Sequence, residues 1–310
     1  MNALETRPAA SERPLAISVL LGASGWFAGL FLLIFVALVF RPDSAAPAAV
    51  TGLVLLAAAW GLFMLAHDGA QVFVAQLALA LSIAGQCLVL YAATGHADGF
   101  GPVAAAALVL QAVLVVVMPD RLHRTLSTLF ATIAWALTVR FLLLDAQAGW
   151  HDVGAAQATP LPAALGGWLL AWGPVAAMLW AAIRKEPGWV ARGRAALARP
   201  VITGLVAGLA FGTLASQPFE TLAGFWGGAH DGGGATWPLL SAVAALGALA
   251  AAFAQGRRGL MALCALAALL HVAAFYYTLG TSLLAKSLLM LLVGATCIAA
   301  SRALRAAEDA

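Results

Sequence analysis

Two cations stand inside apolar runs. Lys286 lies within "YYTLGTSLLAKSLLMLLVGATCIAAS" (276–301) and Arg140 within a run that ends near Asp145. Each lies five residues or so from a helix end, so both sit roughly 7–8 Å deep by helical rise. Insertion scales charge roughly 2.5–3.5 kcal/mol for a Lys or Arg at a membrane centre, less near the edge, so something must offset that cost. Either both snorkel or pair with Glu220 or Asp145 and lock helices, or they face a water-filled outer crevice and bind an anion. Glu220, two residues after Pro218, is the best carboxylate partner and the best proton or cation site; its alternative is an ordinary loop acid. His271 lies mid-span with Tyr276 and Tyr277 above it, placed either to hydrogen-bond between helices or to act as a base. The candidate binding residues are therefore Lys286, Arg140, Glu220, His271 and Tyr277.

Other clusters are weaker. His96, His151 and His230 stand beside Asp in three Gly-rich outer loops, "HADG", "GWHDVG" and "AHDGGG". Their convergence would make a metal site, but Gly-rich turns favour His and Asp anyway, so no metal and no cofactor is assigned. Cys87, Cys264 and Cys297 lie in apolar runs without ligand spacing and read as small core residues. Gln76, Gln86 and Gln111 suit helix packing. Trp168 and Trp172, at i and i+4, read as interfacial anchors or as a stacking wall. No phosphate loop, HExxH, GxSxG or CxxC pair occurs, and no segment is long enough for a soluble catalytic domain. An enzyme is therefore disfavoured and no catalytic residue is assigned.

The elements that must position these residues are membrane helices. Of 310 residues, 63% are hydrophobic and only 9% charged, with a mean hydropathy of +0.96; soluble domains carry about 25% charged residues. The chain reads as an all-α integral membrane protein of about ten spans: 15–40, 45–66, 71–91, 102–118, 126–144, 162–183, 200–216, 237–254, 259–279 and 281–301. The break at 278–281 is tight, so nine spans stay open. The first span is longer than a signal-peptide core and reads as uncleaved. With the N-terminus inside, 13 of the 16 Lys and Arg residues fall on the inner side and only Arg41 in an outer loop. That asymmetry predicts cytoplasmic termini: tail 1–14, one helical domain 15–301 and tail 302–310. The inner stretch "RKEPGWVARGRAALARP" is basic with a Trp and suits an anionic leaflet.

A shift of 186 residues lays "RPLAISVLLG" (13–22) on "RPVITGLVAG" (199–208) and Tyr91 on Tyr277. This predicts a 4+2+4 plan, with parallel repeats 13–118 and 199–301 around linking helices 126–183. The alternative is chance matching of Ala/Leu/Gly-rich helices. Gly204, Gly208, Gly212 and Ser216 recur every four residues, and Gly25 and Gly29 share that spacing. In lipid such stripes let backbones approach closely, which is a packing role.

"FYYTLGTSLLAKSLLMLLVGA" resembles the end of a bacterial membrane family catalogued as domain of unknown function 4401. "LLGASGWFAGLFLLIF" and "QLALALSIAGQCLVLY" resemble its first spans. The resemblance extends over nearly the whole chain. It implies a polytopic inner-membrane protein and a companion, a membrane-anchored periplasmic protein with a Gly-Asp-Tyr motif, but no activity. Apart from the bilayer and this companion no partner is expected; no basic run with interleaved aromatics points to nucleic acid.

Three functions remain. The favoured one is an inner-membrane carrier or binding protein for a small polar, anionic solute, with Lys286, Arg140 and Glu220 lining an outer-facing polar pocket. The second is a non-catalytic membrane subunit anchoring a periplasmic partner. The third, an enzyme acting on a lipid-linked substrate with Glu220 or His271 as base, lacks a paired catalytic constellation.

Overall fold

The computed structural model describes residues 15–40, 44–65, 72–95, 99–143, 161–212, 244–250 and 258–278, with shorter pieces at 252–253, 256 and within 282–302. Every regular element among them is helical. They are α1 (Leu15–Phe40), α2 (Ala45–Leu65), α3 (Val72–Thr94), α4 (Phe100–Val117), α5 (Arg121–Thr138), a π-helical turn (Val139–Leu143), α6 (Leu161–Ala191), α7 (Ala195–Gly212) and α8 (Arg258–Thr278). Helical backbone recurs at 244–250 and in pieces beyond 282. The tails 1–14 and 303–310 and the stretch 213–243 lie outside the described residues. The second proposed repeat includes that stretch.

Among the described residues four helices, 45–65, 72–94, 100–117 and 166–191, are long and apolar enough to cross a membrane, and 20–36, 195–210 and 258–273 are shorter apolar helices. The exposed surface matches. Leu20, Phe27, Phe31, Phe35 and Leu38 of α1 point outward, which suits a hydrocarbon solvent and not water. Helix α5 is ordered the same way round. It buries His123, Ser127, Thr128, Thr132 and Thr138 and exposes Leu122 and Phe130.

The chain divides into two compact units. The first holds residues 1–150 and 185–204. Its centre is the α2–α3 pair, which touch backbone to backbone. A Cβ on Gly52 would sit 2.7 Å from the Gly85 carbonyl oxygen, and one on Gly85 equally close to that of Gly52. Helix α1 lies on α3 through Gly25, whose Cβ would fall 2.7 Å from the Phe73 carbonyl oxygen, and Gly29, against Ala80. A short turn joins α4 to α5, and the Asp120 carboxylate caps α5 by accepting from the His123 backbone N–H at 2.7 Å. The π-turn packs against the start of α4. The Phe100 and Phe141 rings meet edge to face at 5.0 Å, and a Cβ on Gly101 would lie 3.0 Å from the Phe141 carbonyl. Gly99, the α4 N-cap, has φ +102°, a conformation that favours glycine.

The basic stretch 184–200 is not a loop between spans. Helix α6 continues to Ala191 through Pro187, the chain turns at Gly193 (φ +74°), and α7 begins at Ala195 with Pro200 inside it. Pro200 lacks the N–H that would close on the Ala196 carbonyl. The Arg124 guanidinium supplies that bond instead, with Nη1 3.0 Å from the Ala196 oxygen. Gly204 then brings α7 onto α5, where its Cβ would fall 2.5 Å from Thr128 Cβ.

The second unit holds residues 151–184 and 205–310. Within it the buried face of α6 carries Ala171, Trp172, Val175, Leu179 and Ala182, the three-to-four-residue spacing of a packed helix. Arg184 stacks over the Trp180 ring at 4.0 Å.

Candidate functional site

Among the described residues the densest polar cluster lies in the first unit, on residues whose surroundings are apolar. Ser82 and Gln86 are one turn apart on α3, Gln111 is on α4, and His123 and Ser127 are one turn apart on α5; all five are buried. Gln111 Nε2 donates to Gln86 Oε1 at 2.7 Å. Gln86 Nε2 donates to Ser82 Oγ at 3.1 Å. Ser82 Oγ and His123 Nε2 are 2.7 Å apart, and His123 Nδ1 and Ser127 Oγ 3.2 Å.

The donors set the ring's tautomer. Gln86 Nε2 also lies 3.4 Å from His123 Nε2, so a proton on that ring nitrogen would face an N–H. The network therefore fits a neutral His123 protonated on Nδ1, with the Ser82 hydroxyl donating to Nε2 and Nδ1–H donating to Ser127. Every bond then runs in one sense from Gln111 to Ser127. At its head, Gln111 Oε1 is buried without a hydrogen-bond partner. The Phe63 ring stands edge-on to the imidazole at 5.7 Å.

The position of His123 differs from the expectation of a loop residue at 119–125. Ser82 is ten residues into α3, about 15 Å along it by helical rise. Met118 packs with Ala78 and Leu79. The turn between α4 and α5 therefore lies level with the interior of α3, so His123 is inside the bundle. His123, Ser82 and Ser127 escaped the sequence reading for that reason. The readable signal was the i, i+4 spacing of His123 and Ser127 on a helix whose other small polar residues share that side.

The second unit holds Lys286 and His271 of the expected site, and the first holds Arg140. Lys286 is half-buried in helical backbone, and its Nζ stands 5.1 Å above the centre of the Tyr276 ring, within cation–π reach. Among the described residues it pairs with no carboxylate. Glu220, and the side chains of Arg140 and Tyr277, lie outside the described residues; the Arg140 backbone is in the π-turn. His271 is fully buried on α8 with Nε2 2.7 Å from the Ala210 carbonyl oxygen of α7. A carbonyl only accepts, so Nε2 carries a proton. Gly208 is buried in α7 and Gly212 ends it.

Trp172 is 1% exposed, so it sits in the protein interior and not as an anchor at an interface. The indole nitrogens of Trp168 and Trp172 are both buried without a hydrogen-bond partner. Gln76 accepts from Trp26 Nε1 at 3.0 Å, tying α1 to α3. Cys264 is buried and Cys87 exposed, both free; Cys297 lies outside the described residues. So do His96, His151 and His230, and among the described residues no three His, Cys, Asp or Glu are grouped to hold a metal. A cleft of about 410 Å³ between α1 and α3, lined by Trp26, Leu30, Ile83 and Leu88 among others, is apolar and offers a polar solute nothing.

Compared with known proteins, the chain matches a family model described as "Domain of unknown function (DUF4401)" over residues 14–227. The match includes α1 to α7 and stops short of the Lys286 segment. Neither the curated proteins nor the solved structures include a match.

Proposed function

We propose, for a chain that belongs to the DUF4401 family, a family whose description carries no activity, that it is a membrane carrier or binding protein for a small anionic solute. One observation carries this reading. Lys286 is held half-buried against an aromatic face, with no carboxylate beside it among the described residues. A ring face stabilises an ammonium by about 0.5–2 kcal/mol and accepts none of its N–H groups in a full hydrogen bond. The ammonium keeps its capacity for an anion. In this reading the site opens to the outer side of a bacterial inner membrane. The ten-span, cytoplasmic-termini topology and the parallel repeats belong to the same proposal.

The test is thermal stabilisation of the purified protein by acetate, sulfate and inorganic phosphate. A ligand that binds only the folded state at a hundred times its Kd adds about 2.7 kcal/mol. Stabilisation by one of these anions, lost in Lys286→Ala, supports the reading; identical melting with and without every anion contradicts it.

A second reading is a non-catalytic subunit that anchors a periplasmic partner such as the Gly-Asp-Tyr protein. It is favoured by the way the Gln111-to-Ser127 chain joins three helices, which is a packing role. Co-purification of the periplasmic protein, lost in a variant lacking its membrane anchor, would favour this second reading.

A further inference from the structure

The indole N–H groups of Trp168 and Trp172 are both buried and, among the described residues, both lack an acceptor; Trp172 is 1% exposed. The large majority of buried side-chain polar atoms in proteins are paired, so two orphans one turn apart on a single helix call for a cause. At i and i+4 the two side chains share one face of α6, with Cβ atoms about 5–6 Å apart. The residues that continue that face, Val175 and Leu179, are apolar and buried and offer no acceptor. An indole nitrogen donates and never accepts. The pair therefore selects a ligand end that only accepts, and rejects amines, whose own donors would meet donors. Charge narrows the choice. The charged residues described in this unit are Arg184, Arg258, Lys286 and Arg302, all cations.

We propose that Trp168 and Trp172 form an oxyanion-binding site in the second unit, with both N–H groups donating to carboxylate or phosphate oxygens of the solute. This deepens the proposed function and rests on its reading that the solute is an anion. It replaces anchoring as the reason for two tryptophans at this spacing. Trp135 on α5 also has a buried unpartnered indole nitrogen, but it stands alone in the other unit and serves as an internal control.

The test is nuclear magnetic resonance of the full-length protein in nanodiscs with ¹⁵N in its tryptophan indoles. Signals are assigned by their loss in Trp168→Phe and Trp172→Phe. Acetate and inorganic phosphate are then titrated in separate samples. The expected result is that the Trp168 and Trp172 signals shift together and saturate with at least one anion, while Trp135 stays in place. Trp172→Phe should weaken that binding at least tenfold. If Trp172→Phe does not fold, Trp168→Phe supplies its own assignment and the wild-type titration still decides. Unmoved Trp168 and Trp172 signals, alongside a Lys286-dependent melting shift, would overturn this site and leave the anion-carrier reading standing. Unmoved signals with no melting shift would overturn both. Shifts that spread over every indole without saturating would mean an adventitious ion only, and would overturn the site as well.

Discussion

In the first unit five polar side chains use one another as partners: Gln111, Gln86, Ser82, His123 and Ser127 form one directed chain across α3, α4 and α5. In the second, among the described residues, the Trp168 and Trp172 indoles have no acceptor and Lys286 stands over an aromatic face with no carboxylate beside it. Both arrangements hold polar groups inside apolar helices, where unmet hydrogen bonds are costly. The difference separates glue from site. A chain that answers its own donors fixes helix positions and has little left to offer a ligand beyond Gln111 Oε1. Unpartnered donors that stand side by side, as at Trp168 and Trp172, are the ones able to hold a ligand; a lone one, as at Trp135, is not.

The comparison breaks first at the helix crossing that supports the chain. Gly85→Val would drive its side chain into the Gly52 backbone, and overpacking of this kind costs about 3 kcal/mol. Denaturation in detergent should show that loss, and intact stability would mean that α2 and α3 do not touch there. Gln86→Leu comes next. It removes the middle of the chain and leaves Gln111 Nε2 and Ser82 short of partners. Interhelical hydrogen bonds in membranes are worth about 0.6 kcal/mol on average and up to about 1.7, so a loss of about 1–2 kcal/mol is expected in the same measurement. No loss would show that the chain is not structural.

Legibility in the sequence followed the solvent. Helix positions were readable because lipid demands long apolar runs: α1 spans Leu15–Phe40 as expected, and α2 ends at Leu65, one residue from its expected bound. The close approach of α1 through Gly25 and Gly29 was readable from their spacing. Gly85, with Ala78, Ser82 and Ala92 on the same side of α3, formed a similar small-residue stripe that was overlooked. Depth was not readable. A Lys/Arg count assigns residues to a side of the membrane and says nothing of how far a turn penetrates, so His123 was read as a loop residue. Helix continuity through proline was also hidden. Pro187 lay outside the expected span 162–183 and Pro200 opened the expected span 200–216, yet both are inside helices, and Pro200's lost bond is answered by Arg124, 72 residues away in sequence.

That last pair sharpens the comparison with a smaller effect. Arg124→Ala strips the Ala196 carbonyl of its donor and should cost about 1 kcal/mol. In a Pro200→Ala background the helix's own N–H returns, so the same Arg124→Ala change should cost measurably less in a double-mutant cycle. Equal costs in both backgrounds would separate the two residues. Smallest of all is the ligand-free effect of Lys286→Ala. Among the described residues its partner is a ring face and no carboxylate, so its loss should change stability by only about 0.5 kcal/mol, the low end for such a contact. A large loss would make Lys286 structural and erase the contrast between the units.

The most direct measurement is the anion-dependent shift in melting temperature, taken in parallel for the wild type, Lys286→Ala and Ser82→Ala. A small oxyanion should raise the melting temperature of the wild type and of Ser82→Ala by similar amounts, whatever their starting stability, and leave Lys286→Ala unmoved. A shift that survives in Lys286→Ala, or one that disappears in Ser82→Ala while Lys286→Ala keeps it, would contradict the assignment of binding to the second unit.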